Sequence, residues 1–491
     1  MSTTTEQGVQ FVEVDGRRSS QRAGTAILAD AVRAVDERLA HRIETATDWR
    51  KKYMEPFGAV VAAGARSSKD ALRIAADGLD SARRNVSFVR DGNESSLGEA
   101  LSTSAATPYA TETVEGTGAR VTELTVPYRG RDLRGEELLD QVRLWEERGI
   151  LEPSCATRLA RVVENPDWLD LSDRYFALLG AASEMGPLEP LASWGANVLA
   201  VDLPRPALWR HIVATAKAGS GTLHVAVKPG GGPIEKRAGA DLLLETPEIK
   251  TWLASFDQPY TIGNYVYADG ATFLRLAAAV DALIADLLEA KPGLSLAYLA
   301  TPTDVFAIHE DIAQSAHGRA RGPLRAGLRG ISAGRLYARN YDDMVDGEGG
   351  RRWGVSNALV PIQGPNYALA KALQRWRAIV AREEGVISSA TVAPASRTKS
   401  VVKNKLLAAA YRGAPSFGLE IFEPQTAKVL TAALLVHDLR DPASGANPDA
   451  GLGHPYDLFV EGALHGGMWR LPYEARSVLP LALLRGMAKR S

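Results

Sequence analysis

From about Leu171 onward, short apolar runs alternate with helical patterns, and no other feature of this chain limits its possible architecture as much. The runs are Tyr175–Leu179, Asn197–Asp202, Leu223–Val227, Tyr260–Tyr267, Leu294–Thr301 and Val386–Ala393, with Ala- and Leu-rich stretches such as Ala271–Ala290 between them. Strands that are apolar along their whole length are buried on both faces, and strands separated by helices pair in parallel. The expected fold class is therefore α/β, a doubly wound parallel sheet with helices on each side.

The first 150 residues have a different character and read as a mostly helical accessory region. Leu28, Val32, Val35, Leu39 and Ile43 fall at helical spacing between Thr25 and Arg50. Ser68 is placed to cap a second helix running through Leu72, Leu79 and Ala82, and a third is expected over Gly135–Arg148. Residues 91–122, rich in Ser, Thr, Gly and Ala, read as a loop or flexible linker. The remaining chain, 151–491, is expected to form the catalytic domain, with an insertion over 304–356 and a C-terminal substrate or oligomer region over 410–491.

The first apolar run leads directly into Gly180-Ala-Ala-Ser-Glu-Met-Gly186, then a short helical pattern beginning at Pro187, then Asn197–Asp202. A tight turn of small residues lets a backbone approach a pyrophosphate, and a helix start offers unpaired N–H groups. Gly180, Ser183, Met185 and Gly186 are the candidate cofactor-binding residues of this turn. Asp202, 22 residues after Gly180, stands where an acid accepts hydrogen bonds from the adenosine ribose. Its charge favours NAD over NADP, although Arg205 three residues later offers a partner for a 2′-phosphate. Downstream, Tyr367 and Lys371 lie four apart on one helix face. An ammonium beside a phenol favours the phenolate, so Lys371 is expected to lower the pKa of Tyr367 toward a value useful in proton transfer.

In this order of motifs, from Tyr175 to Thr398, the chain resembles the short-chain dehydrogenase/reductase family, whose domain is a Rossmann-like NAD(P)-binding fold. The resemblance implies that Tyr367 is the catalytic acid/base and that Lys371 assists it and holds the nicotinamide ribose. It also implies that Pro394 and Thr398 lie at the nicotinamide end. The family's carbonyl-polarising serine stands about a dozen residues before the tyrosine. Ser356, 11 before Tyr367, fills that place, while Thr301 and Thr303 at a strand tip offer an alternative hydroxyl. Two departures stand out. Glu184 replaces the middle glycine of the turn, and an arginine-rich insertion precedes Ser356. The implied activity is an NAD(P)-dependent exchange of hydride between an alcohol and a carbonyl. An epimerase or dehydratase on the same fold, or a non-catalytic nucleotide-binding scaffold, are the competing readings.

Composition limits the partners. Lys and Arg (57) nearly balance Asp and Glu (58), so no global charge points to nucleic acid or an anionic membrane. Hydrophobic residues make up 45% of the chain, which is enough for a large core. The single cysteine, Cys155, excludes an internal disulfide and reads as a small buried residue. No basic segment followed by an apolar run opens the chain, so a cytoplasmic location is expected. The eight histidines show no metal-ligand spacing, and no metal is expected. The partner is expected to be a small molecule, with the protein itself a homo-oligomer. Arg319, Arg321, Arg325, Arg329, Arg335 and Arg339 present either a clamp for an anionic substrate or a solvated face, the latter being the commoner fate of charge runs.

Overall fold

In the computed structural model, which describes residues 6–103, 108–319 and 323–488, a seven-stranded sheet organises the chain. Its strands in chain order are β1 (Ala110–Glu115), β2 (Tyr175–Leu179), β3 (Asn197–Val201), β4 (Thr222–Val227), β5 (Tyr260–Asn264), β6 (Ser295–Ala300) and β7 (Ser388–Val392). Across the sheet they run β7-β6-β5-β2-β3-β4-β1. All neighbours pair in parallel except β1, which lies antiparallel on β4 at one edge. The six apolar runs read from sequence are the six parallel strands, each within a few residues of its expected ends. The chain moves outward from β2 through β3 and β4, then crosses back to β5 on the other side of β2. That reversal opens a crevice above the carboxyl ends of β2 and β5, the place where open α/β sheets bind ligands.

Alternating side chains divide between two apolar layers, as a pleated strand requires. Ala177 and Leu179 of β2 join one core with Ile262, and Phe176 and Leu178 join the other with Val198 and Val225. The first core is built from α4 (Gly270–Ala290) and α5 (Pro365–Glu383), with α1 (Ser20–Arg33) and α2 (Ser68–Arg84) stacked outside them. Gly78 of α2 permits this stacking, because a Cβ there would fall 2.4 Å from the Trp376 ring. Two buried arginines of α5 are neutralised within the same layer, Arg377 by Asp281 at 2.7 Å and Arg375 by Asp304. The N-terminal helices therefore cover one face of the layer that carries Tyr367 and Lys371.

Several expectations change. The pattern over Thr25–Arg50 is not one helix: α1 ends at Arg33, and new helices start after Asp36 and Asp48, at Glu37–Glu44 and Trp49–Lys52. Asp36 caps the second by accepting the Leu39 N–H at 2.9 Å. Ser67 rather than Ser68 caps α2. Residues 91–122 are not simply a linker. They contain a strand (Asn93–Ser96), a helix (Leu97–Ser102) closed by a Ser96–Glu99 capping box, and β1 itself. Edge strands need fewer large apolar residues than central ones, which is why β1 escaped detection. The insertion contains a small antiparallel sheet of Val305–His309, Met344–Asp346 and Arg352–Asn357. After β7 come α6 (Lys405–Gly413), α7 (Pro424–Arg440) and α8 (Ala475–Ala488). No helix among the described residues is long and apolar enough to cross a membrane.

Candidate functional site

The crevice above β2 and β5 opens into a cavity of about 850 Å³, a size ordinary for ligand sites. The tips of β2, β3, β5, β6 and β7 form one wall, contributing Gly180, Asp202, Asn264, Thr301 and Pro394. Gly180 has φ +80, and a Cβ there would lie 3.0 Å from the Tyr265 carbonyl oxygen. Only glycine meets both demands at the end of β2 without strain. Ala182, Ser183, Glu184 and Met185 line the cavity in turn. Gly186 does not: it is buried behind the turn, and its N–H donates to the Ser183 carbonyl at 2.9 Å. Its role is to close the turn, so the expected direct cofactor contact is withdrawn from it.

Asp202 is half-buried and already serves the turn. It accepts the Ala182 N–H at 2.8 Å on one oxygen and the Leu203 N–H at 2.8 Å on the other. Burial raises its pKa, and those two amides and Arg205 oppose the rise. A carboxylate has about four lone-pair sites, so capacity remains for hydroxyls presented from the cavity. Glu184 reaches across the mouth and accepts the Lys399 N–H at 2.8 Å, tying the β2 turn to the segment that follows Pro394 and Thr398. Its charge is thereby directed to a helix start over Lys399–Lys403. The helix after the turn, α3 (Leu188–Ser193), has only six residues, and the Ala182, Ser183 and Gly186 amides are all engaged within the protein. The turn is better provided for a ribose than for a pyrophosphate.

Tyr367 and Lys371, one turn apart on α5, both line the cavity. Their expected partnership is corrected. The Lys371 ammonium donates to the Leu299 carbonyl at 3.1 Å and to Gln374 Oε1 at 2.9 Å, and burial lowers its pKa to about 8. Tyr367 packs its ring against Phe273 and Tyr267, with centroids 5.6 and 6.4 Å away. Burial there, reinforced by Tyr411 and Tyr267, pushes its pKa up, while a hydrogen bond with the Thr301 side chain opposes the rise. Loss of water around the phenol thus outweighs any influence of the lysine. At neutral pH Tyr367 is a protonated phenol.

Ser356 is also corrected. It lies in the middle strand of the small sheet, opposite Phe306, 2% exposed, and does not line the cavity. Thr301, at the tip of β6, supplies the hydroxyl beside Tyr367 instead. A short polar chain extends from it: Thr301 Oγ1 lies 3.0 Å from Thr303 Oγ1, and Gln363 Nε2 donates to that hydroxyl at 3.1 Å and to the Thr303 carbonyl at 2.9 Å. Sequence spacing pointed to Ser356, but the insertion separates sequence distance from spatial distance.

Asn264, ending β5, is a site residue missed in the sequence. It is 4% exposed and lines the cavity, with Oδ1 buried and without a hydrogen-bond partner among the described residues. An amide at the end of an apolar strand was the available signal. Pro394 and Thr398 line the cavity. The arginine cluster does not. Arg319 donates to the Arg148 carbonyl at 2.6 Å, Arg325 lies over the Tyr473 ring, and Arg321 falls outside the described residues. The charged groups on the lining are Arg50, Lys371, Glu184, Asp202 and Asp269. Cys155 is fully buried and its thiol pKa is raised. His465, also fully buried, pairs with Glu152 at 2.7 Å beside Arg470 and anchors its loop.

Compared with known protein families, curated proteins and solved structures, the chain matches none.

Proposed function

We propose that this protein is an NAD(P)-dependent oxidoreductase of short-chain dehydrogenase type, acting on a carbonyl/alcohol pair. The observation that carries the reading is the convergence of Thr301, Tyr367 and Lys371 in the same cavity as the Gly180 turn and Asp202. The order β4-β3-β2-β5-β6-β7 supports it, being the order of dinucleotide-binding sheets. A bound dinucleotide would supply the hydride, and the protein supplies position and a proton. Ala182, Ser183 and Met185 would bound the adenosine ribose, from which Asp202 would accept, and this favours NAD.

In the reducing direction, the protonated Tyr367 gives its proton to the substrate oxygen. Thr301, beside the phenol on the cavity wall, can hydrogen-bond the same oxygen. Burial keeps the Tyr367 phenol protonated, ready to donate, while disfavouring the phenolate that donation leaves, so the step depends on positive charge near the site. Lys371, fixed by Leu299 and Gln374, adds positive charge to the site without binding the phenol. A cytoplasmic homo-oligomer acting on a free small molecule fits this reading.

Calorimetric titration with NAD, NADH, NADP and NADPH tests the cofactor. Binding of at least one is expected, and binding of none would overturn the proposal. With the bound form in hand, Tyr367→Phe should cut carbonyl reduction by about 100-fold or more while retaining dinucleotide binding. Turnover that survives the substitution removes Tyr367 from its role.

A further inference from the structure

The cavity has a second wall, and it is apolar. Helices α6 and α8 meet in backbone contact: a Cβ on Gly413 would fall 1.9 Å from the Ala482 carbonyl oxygen, and one on Gly486 would fall 1.8 Å from that of Ala409. This contact uses one side of each helix. On another side, α6 and the residue after it present Leu407, Ala410, Tyr411 and Ala414 to the cavity, a spacing of 3, 1 and 3. Ala475, Val478, Leu479 and Ala482 of α8 repeat the same spacing. A face with that periodicity ordinarily packs against protein. Here both faces also line the cavity, with Val478 and Ala475 packed into the first core as well, and Phe417 and Leu471 extend the same apolar surface.

We infer that this compartment binds the aliphatic tail of an elongated substrate, a long-chain aldehyde or alcohol whose polar head lies at Thr301 and Tyr367. The inference rests on the proposed oxidoreductase reading for the head group, while the tail site stands on its own lining. Charge sorts the two ends. The charged lining residues come from the strand tips, from α5, from the start of α4 and from Arg50, and neither α6 nor α8 contributes one. Among the described residues no cation lines the far end, which argues against an anionic tail. A tail of methylenes gains from every group it removes from water.

Straight-chain 1-alkanols from four to ten carbons test this without any dinucleotide, by calorimetric titration of the full chain. Each added methylene is expected to tighten binding by about threefold to fourfold until the compartment is filled. An affinity that stays flat from butanol to decanol would overturn the inference. Leu479→Trp, which fills the compartment from α8, should weaken decanol binding at least tenfold, and a thermal melt like that of the wild type shows that the variant is folded. Undiminished decanol binding in the folded variant would also overturn it. The two proposals separate cleanly. Failure of the dinucleotide titrations leaves the alkanol gradient to be judged by itself, and a flat gradient leaves dinucleotide binding untouched.

Discussion

The two walls of the cavity are built in different ways. The strand-tip wall is polar and set by local grammar: an apolar strand, a glycine that must bend, and an acid or hydroxyl at the next tip. The helical wall is apolar and set by approach, since α6 and α8 are separated by more than 60 residues and meet through Gly413 and Gly486. Sheet pairing fixes the first wall to within a hydrogen bond. The second rests on two helices that meet through glycines and turn apolar side chains toward the cavity. Chemistry belongs on the rigid wall, and substrate fit belongs on the wall that can vary without disturbing the sheet.

The largest test of this contrast lies between two hydroxyls. Thr301→Val should reduce turnover by about 100-fold, because it removes the group beside Tyr367. Ser356→Ala should leave turnover unchanged, because the side chain does not line the cavity. The reverse ranking would restore Ser356 to the site.

Next is the bend itself. Gly180→Ala places a Cβ against the Tyr265 backbone at positive φ, at a cost of about 2 kcal/mol in unfolding. An unchanged midpoint would show that the turn relaxes, and that the polar wall is less rigid than argued.

Lys371 offers a test by pH. Its folded-state pKa, about 8, lies below the ordinary lysine value, so between these limits the unfolded chain binds more protons than the folded one. Stability therefore rises with pH across this window, by at most about 1.4 kcal/mol per unit, and the burden of a buried ammonium is greatest below pH 8. Lys371→Met should lack that rise. Urea midpoints of both proteins at pH 7.5, 8.5 and 9.5 would show the wild type gaining on the variant as pH increases, and parallel curves would refute the lowered pKa.

The smallest expected effect is at Glu184. Glu184→Gln keeps an acceptor for the Lys399 N–H but removes a negative charge from the turn, so dinucleotides should bind about fivefold more tightly. Weaker binding would mean that the carboxylate helps to form the mouth rather than opposing the phosphates.

Much of the polar wall was legible in the sequence because its signals are short. Tyr175–Leu179, Gly180 and Asp202 lie within one strand-turn-helix-strand unit, and Tyr367 and Lys371 within one helical turn. Thr301 was visible as a strand-tip hydroxyl, but nothing local could rank it above Ser356. That choice depended on how the insertion folds, and its small sheet buries Ser356 away from the cavity. The pKa of Tyr367 escapes the sequence for a related reason. Spacing placed a lysine nearby, but it could not show that Leu299 and Gln374 hold the ammonium or that Phe273 and Tyr267 exclude water from the phenol.

By itself, then, the sequence determined the α/β class, the six parallel strands and the residues on their tips, because apolar periodicity and turn chemistry act over a few residues. Tertiary structure alone decided the partnership of Thr301 with Tyr367, the engagement of Glu184 with Lys399 and the apolar roof of α6 and α8. Each joins segments tens to hundreds of residues apart, and what a buried group does depends on which neighbours replace the water it has lost.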